Sequence, residues 1–308
     1  MAAWTHNDMP DQTGRIAVVT GATSGLGTWC ARGLAARGAE VILAVRNTEK
    51  GEATARSLRS QFPMAKLTVL ELDLTSLASI WHFALRASDT LPRIDLLINN
   101  AGLGLQPQRI ETEDGFEQQF GVNFLGHFAL TARLVPSLLR APAPRVVTVA
   151  SIAHRRGAIN WEDPNQHTGY RGRFGYNQSK LACLMFALEL AARASEQHSR
   201  LASIPAHPGL ALTGMLAASG LPGYIQAGGL LATRILGQSA EAGARPLLYA
   251  ATMPDAQNGE YWGPDGIKEI RGNPARATVW PHARNRADWQ RLWSTAEALT
   301  KLTFPALT

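Results

Sequence analysis

Cysteine is scarce: the 308 residues hold two, Cys30 and Cys183, far apart within helix-patterned segments. That excludes a disulfide framework and a thiolate metal site, and it fits a reducing compartment. Long apolar runs are missing too, since no stretch approaches the eighteen or so uninterrupted apolar residues of a membrane span. Residues 1–14 are polar, include Pro10 and Asp11, and offer no apolar core to a secretory machinery. We therefore expect a soluble, cytoplasmic chain without a membrane span. An excess of one charge is also absent: 30 Lys and Arg against 24 Asp and Glu leave +6, scattered singly or in pairs such as Arg155-Arg156. No basic run exists to hold nucleic acid. The 8 histidines show no metal-ligand spacing, so no metal is expected. No low-complexity tract or solenoid-length repeat interrupts the chain.

What is present is a rhythm. Short Val/Ile/Leu-rich runs recur at Arg15-Thr20, Glu40-Val45, Leu67-Leu72, Ile94-Ile98, Arg145-Ala150 and Leu201-Ala206. They are apolar on both faces, as buried parallel strands are. Helical periodicity fills the gaps at Leu26-Arg37, Thr48-Ser60, Leu77-Ala87, Phe116-Leu139 and Tyr176-Ser195, and a seventh strand, Gly259-Trp262, fits after the helical stretch Ala240-Ala251. The alternation predicts an α/β chain: a single-domain Rossmann fold, doubly wound, with a parallel sheet of about seven strands and helices on both faces. Residues 1–13 read as a leader, 14–262 as the catalytic domain, and 263–308 as a C-terminal extension packed on it. Residues 210–237, glycine-punctuated and apolar around Pro222, read as a mobile lid over the substrate.

The first strand runs into Thr20-Gly21-Ala22-Thr23-Ser24-Gly25-Leu26-Gly27 and then a helix. Glycines here let the chain turn tightly and let a pyrophosphate approach N–H groups at a helix N-terminus. The spacing Thr-Gly-xxx-Gly-x-Gly resembles the cofactor motif of the short-chain dehydrogenase/reductase family. Further elements follow in family order over roughly residues 14 to 265. Asn99-Asn100-Ala101-Gly102 is similar to the element beside the adenosine half of the cofactor, and Asp73-Leu74 to the residues that meet adenine. Pro208-Gly209-Leu210, with Thr213, is similar to the segment that holds the nicotinamide amide. After the second strand an NAD site would carry a carboxylate for the ribose 2′-OH, whereas this chain has Arg46-Asn47. Arginine is a permanently charged planar fork suited to a 2′-phosphate, so NADP(H) is expected over NAD(H).

Tyr176 and Lys180 stand four apart on a helical stretch and share a face. A phenol's ordinary pKa near 10 is about three units too high for proton exchange at neutral pH, and a nearby ammonium favours the phenolate. In the resemblance these are the family's Tyr-xxx-Lys pair, with Ser151 as the catalytic serine and Asn123 completing the tetrad; Tyr176 and Lys180 also meet the cofactor. Thr148 competes with Ser151 for the hydroxyl role. A water held by the Asn123 amide could link Lys180 to solvent. Ser151 has no Gly-x-Ser-x-Gly elbow, which argues against a hydrolase.

The segment Ile152 to Gly175, 24 residues long, is about twice the separation in the simplest family members. With Ser151-Ile-Ala153-His154 and Gln238-Ser-Ala-Glu-Ala-Gly243, it resembles the retinol-dehydrogenase-like subgroup and its bacterial relatives. We expect no membrane anchor before the fold, so a membrane-dissolved retinoid is not the expected substrate. Ala153, His154, Trp161, Phe174, Met215 and Tyr224, with Ser151 and Tyr176, are the candidate substrate residues, and Tyr170 is a further wall. His127, His154 and His207 read as hydrogen-bonding or packing residues, and the paired arginines as solvated. The expected activity is an NADPH-dependent carbonyl reductase or secondary alcohol dehydrogenase acting on a bulky apolar or aromatic ketone or aldehyde. The alternatives are reduction of an activated C=C bond in a large ring and a cofactor-sensing, non-catalytic relative. The helix Tyr176-Ser195, apolar at Leu181, Leu184, Met185, Leu188 and Leu190, could pair subunits in a homodimer or homotetramer or pack as a core helix.

Overall fold

Strands with β-branched residues on both faces must be covered on both faces, and the fold does this with helices in two layers. The computed structural model describes residues 4–212 and 236–308. The strands are β1 (Ile16–Thr20), β2 (Glu40–Val45), β3 (Leu67–Glu71), β4 (Leu96–Asn99), β5 (Arg145–Val149), β6 (Ala202–Ala206), β7 (Trp262–Pro264) and β8 (Pro274–Arg276). They lie in the order β3-β2-β1-β4-β5-β6-β7-β8. Pairing is parallel through β7, and β8 closes the edge antiparallel, with Trp262 opposite Arg276. The chain leaves β1 for β2 and β3 on one side, then crosses to β4 on the other. That reversal opens a crevice at the carboxyl ends of β1 and β4, the ligand position of open α/β sheets.

The helices are α1 (Gly25–Ala36), α2 (Thr48–Gln61), α3 (Leu77–Thr90), α4 (Gln118–Phe120), α5 (Gly126–Leu139), α6 (Gly172–Glu196), α7 (Ala240–Thr252) and α8 (Arg286–Thr300). One face of the sheet packs on Ile80, Phe83, Leu134 and Leu184, from α3, α5 and α6. The other packs on Leu34, Leu58 and Leu247, from α1, α2 and α7. The segment Gln118–Leu139 is long and apolar enough to cross a membrane, but 83% of it lies inside the fold, as befits a core helix.

Several expectations are corrected. The seventh strand starts at Trp262, because Gly259 turns with φ +80° and docks its N–H on the Ser203 carbonyl. The eighth strand, β8, comes from the extension. The helix expected over Phe116-Leu139 is broken by a π-helical turn at Gly121–Leu125. The leader is no loose tail: Trp4 meets Tyr249 edge-on at 5.4 Å, and Met9 is buried. Leu181, Leu184, Met185, Leu188 and Leu190 are all buried within this chain. Helix α8 covers that side, where Trp293 sits 5.2 Å from Phe128, 5.8 Å from Phe186 and 4.4 Å from Phe304. The apolar face proposed for subunit pairing is thus covered by the chain's own extension.

Candidate active site

The crevice begins at the glycine turn. Gly21 and Gly25 adopt φ +66° and +53°, the left-handed region that disfavours side chains. A Cβ at Gly27 would stand 2.3 Å from the Gly21 carbonyl oxygen, so only glycine lets α1 start this close to the turn. Ser24 is the N-cap residue of α1, yet its side chain makes no capping bond and is exposed, which leaves first-turn N–H groups available to an anion. Thr23 is half-buried beside it, and Leu26 is buried. Thr20, which sequence reasoning used only as part of the motif, joins the two sides of the crevice. Its hydroxyl oxygen accepts from Asn100 N–H and Ala101 N–H, both at 2.9 Å, while Asn100 Nδ2 donates back to the Thr20 carbonyl at 2.8 Å.

Along the rim, Asp73 Oδ1 accepts from the N–H and hydroxyl of Thr75, and Leu74 is buried against Gly126. Asn47 spends its side-chain oxygen on the Lys50 N–H as the cap of α2. Arg46 beside it is exposed and makes no hydrogen bond or ion pair within the protein among the described residues. The pair splits accordingly: Asn47 holds the helix, and Arg46 keeps its guanidinium uncommitted.

Of the expected tetrad, Ser151, Lys180 and Asn123 stand at the carboxyl edge of β4 and β5, and Tyr176 lies one turn before Lys180 on α6. Tyr176 is half-buried near the start of α6, which begins one turn earlier than the sequence pattern suggests. Lys180, one turn on, is buried, and its Nζ donates to the Val149 carbonyl at 2.9 Å. A Cβ at Gly102 would lie 3.0 Å from Asn123 Oδ1 and 3.6 Å from Lys180 Nζ, so the Asn-Asn-Ala-Gly loop lies against both. Ser151 is half-buried, with its Oγ accepting from Ala153 N–H at 3.1 Å, whereas Thr148 is buried inside β5. Of the two hydroxyls, Ser151 is therefore the one that can meet a ligand.

Asn123 sits in the π turn. Its side-chain amide is already committed: Oδ1 accepts from Leu103 N–H at 2.7 Å, and Nδ2 donates to the Leu103 carbonyl and to Ser179 Oγ at 2.9 Å. The main-chain carbonyl of Asn123 turns to α6 and accepts from the Cys183 thiol at 3.1 Å. His127 Nδ1 lies 3.0 Å from the same carbonyl, and because a carbonyl can only accept, Nδ1 carries the proton and Nε2 accepts from the Thr20 hydroxyl. Burial, with the nearby Lys180 charge, pushes the His127 pKa down to about 4, so the ring stays neutral.

Beyond Ser151 the insertion starts with a 3₁₀ turn, Ile152–Arg156. Ala153 is half-buried there. His154 is corrected as a substrate residue: it is fully buried, with Nδ1 2.6 Å from the Ser151 carbonyl, and burial pushes its pKa down to about 4. Trp161 is half-buried, packs on the core and carries the Arg291 guanidinium 4.5 Å from its ring centroid. The Tyr170 hydroxyl ties the insertion to the Gln106 carbonyl and Gln119 Oε1. Phe174 is half-buried two residues before Tyr176. Thr213, Met215 and Tyr224 lie outside the described residues.

Arg155 is not solvated; it pairs with Glu269 at 2.6 Å. Glu269 also meets His207 Nε2 at 3.0 Å, and His207 Nδ1 accepts from Gly209 N–H at 3.1 Å. His207 is buried, while Pro208, Gly209 and Leu210 are half-buried, and the Leu210 N–H donates to the Ile270 carbonyl at 2.8 Å. Burial opposes the Glu269 charge, but the bonds from His207 and Thr278 outweigh it and bring the carboxyl to about 2. No sequence signal pointed to Glu269, since neither motif nor periodicity marks a carboxylate in an irregular loop.

Comparison with known proteins agrees with this geometry. A family model described as short chain dehydrogenase matches residues 15–221. The chain is 38% identical over 304 residues to polyprenol dehydrogenase of Mus musculus, covering 95% of this chain and 85% of that one. It is 37% identical over 299 residues to retinol dehydrogenase 13 of Homo sapiens, covering 96% and 87%. Among solved structures it is similar to an uncharacterized protein from Mycobacterium paratuberculosis, with 40% identity, a TM-score of 0.81, and coverage of 99% of this chain and 100% of that one.

Proposed function

Because the chain belongs to the short-chain dehydrogenase/reductase family, in its retinol-dehydrogenase-like subgroup, it is an NAD(P)-dependent oxidoreductase of CH–OH and C=O groups, and we propose that it is an NADP(H)-dependent carbonyl reductase and secondary alcohol dehydrogenase for bulky apolar substrates. The observation that carries this reading is that Lys180 and Asn123 meet the end of β5 and the loop after β4, with Ser151 just past β5 and Tyr176 one turn before Lys180, beside a glycine cradle too tight for a Cβ. The uncapped start of α1 suits a pyrophosphate, and the uncommitted Arg46 suits a 2′-phosphate where no carboxylate stands. Bound, the cofactor supplies or removes hydride. The protein's own part is to position and to move one proton. Ser151 Oγ donates to the substrate oxygen and stabilises the charge that develops there. The Tyr176 phenol gives that oxygen its proton in reduction and takes it back in oxidation, with Lys180 one turn further along the same helix. Asn123 braces α6 against the loop after β4 and so holds Tyr176 at its station. The bulk and apolarity of the substrate draw support from relatives named for polyprenol and retinol, long apolar primary alcohols that pair with the aldehyde side of the reading.

The test is consumption of NADPH and of NADH against aromatic ketones, aliphatic aldehydes, steroid-like ketones, retinal and a polyprenal. Turnover with a bulky apolar carbonyl and NADPH is expected. Equal use of both cofactors would remove the NADP assignment, and a preference for acetone-sized ketones would remove the substrate class.

A further inference from the structure

The hydrogen bonds around Glu269 join parts of the chain that sequence separation would leave independent. Its Oε2 receives Arg155 Nη2 at 2.6 Å and His207 Nε2 at 3.0 Å, and its Oε1 receives the Thr278 N–H at 3.0 Å. Arg155 belongs to the 3₁₀ turn that Ser151 caps, and it also donates to the Lys268 carbonyl at 2.9 Å. His207 immediately precedes Pro208-Gly209-Leu210. Because Gly209 N–H can only donate, His207 Nδ1 accepts, and Nε2 must carry the proton that goes to Glu269. The ring is thereby fixed in one tautomer and one orientation. It is also walled in: a Cβ at Gly263 would fall 2.0 Å from Nε2, so β7 leaves the imidazole no room to turn. Lys268 and Glu269 both adopt left-handed backbone angles, φ +53° and +57°, although neither is glycine. Such conformations persist only where the surroundings over-determine them.

We propose that Glu269 is a positioning residue, one carboxylate that locks the serine turn and the nicotinamide segment to each other through Arg155 and His207. This rests on the hydride-transfer reading above. Hydride transfer needs the reacting carbon and the nicotinamide face within a near-attack distance, and small misplacements cost large factors in rate. The substrate oxygen is set by Ser151, and the amide end of the cofactor by residues 208–210. Glu269 holds both from behind and touches neither substrate nor cofactor.

The test uses Glu269→Gln, which keeps the size and loses the charge, beside Arg155→Lys, which keeps the cation and loses the fork. For each protein, the dissociation constants of the preferred dinucleotide and of its adenosine fragment (ADP, or 2′,5′-ADP if NADPH is preferred) are measured together with kcat. In Glu269→Gln we expect kcat to fall at least tenfold and dinucleotide affinity about fivefold, with fragment affinity unchanged within twofold. Arg155→Lys should lose about three- to tenfold in kcat with the same split, and it carries the test alone should Glu269→Gln not fold. A merely structural role would lower fragment and dinucleotide affinity together, and that result would overturn the proposal. So would variants whose kcat lies within twofold of the unaltered protein's. An unaltered protein that binds neither dinucleotide would instead overturn the hydride-transfer reading on which the proposal stands.

Discussion

The two ends of the crevice, adenosine and nicotinamide on the proposed reading, are built in opposite ways. At the adenosine end, the turn over residues 20–27, Arg46, Asp73 and the loop over residues 99–102 are short local segments, and key groups there are left uncommitted: Ser24 caps nothing and Arg46 is exposed. At the nicotinamide end, Ser151, His154, Arg155, His207 and Glu269 come from distant parts of the chain, and each is held by hydrogen bonds inside the protein. On that reading the first end is the one that takes phosphate. The second is a finished framework in which the reacting groups are set beforehand. Binding energy is thus drawn where the protein is open, and precision comes from where it is closed.

Four measurements would break or sharpen that contrast. The largest effect is expected from Tyr176→Phe at the closed end: kcat should fall 10²–10⁴-fold while dinucleotide binding stays nearly intact, because the change deletes a proton donor and little volume. Retention of more than about a tenth of the turnover would remove Tyr176 from its role. Next comes the frame behind that end. Trp293→Ala should lower unfolding free energy by about 3–5 kcal/mol, seen as a reduced denaturant midpoint, since it empties the space among Phe128, Phe186 and Phe304. A loss under about 1 kcal/mol would mean that α8 is only loosely docked.

At the open end, Arg46→Ala should weaken NADPH by about 1.5–3 kcal/mol, the range for a charge-assisted hydrogen bond, and leave NADH unchanged. Equal weakening of both would assign Arg46 to general electrostatics rather than to the 2′-phosphate. The last measurement concerns the buried rings. Burial holds His127 and His154 at a pKa of about 4, below the ordinary 6.5, so the unfolded chain binds more protons than the folded one below pH 6.5. Stability should be level above pH 6.5 and fall by about 1.4 kcal/mol per pH unit for each histidine until it levels again near pH 4. Denaturant midpoints at pH 7.5 and 5.5 read this directly. A flat profile across that range would show that the rings reach water.

The same contrast explains what could be read in the sequence. Strands such as β2, Glu40–Val45, and the adenosine-end residues are legible because periodicity and local motifs act over a few residues. Tyr176, Lys180, Ser151 and Asn123 were legible as motif positions. The π turn at Gly121–Leu125 was not, because one extra residue per turn leaves the apolar pattern of a helix almost intact. Strand β8 was missed because Pro274-Ala275-Arg276 has no strand character of its own and exists as an edge laid on β7. His154 was expected to face the substrate on grounds of proximity in sequence, but the 3₁₀ turn after Ser151 buries it. Glu269 becomes meaningful only once residues 155, 207 and 269 are brought together in space.

Helix α8 has a consequence for synthesis as well as for stability. The Phe128 and Phe186 rings emerge from the ribosome long before Trp293 and Phe304, which finally cover them. At translation rates of about 5–20 residues per second, the interval between Phe128 and Phe304 is on the order of ten to thirty seconds. During that time the sides of Phe128 and Phe186 that meet Trp293 and Phe304 lack that cover, although the two rings still pack on each other. Newly made protein should therefore depend on a holding chaperone, or on slow growth temperatures, until its last fifty or so residues are released.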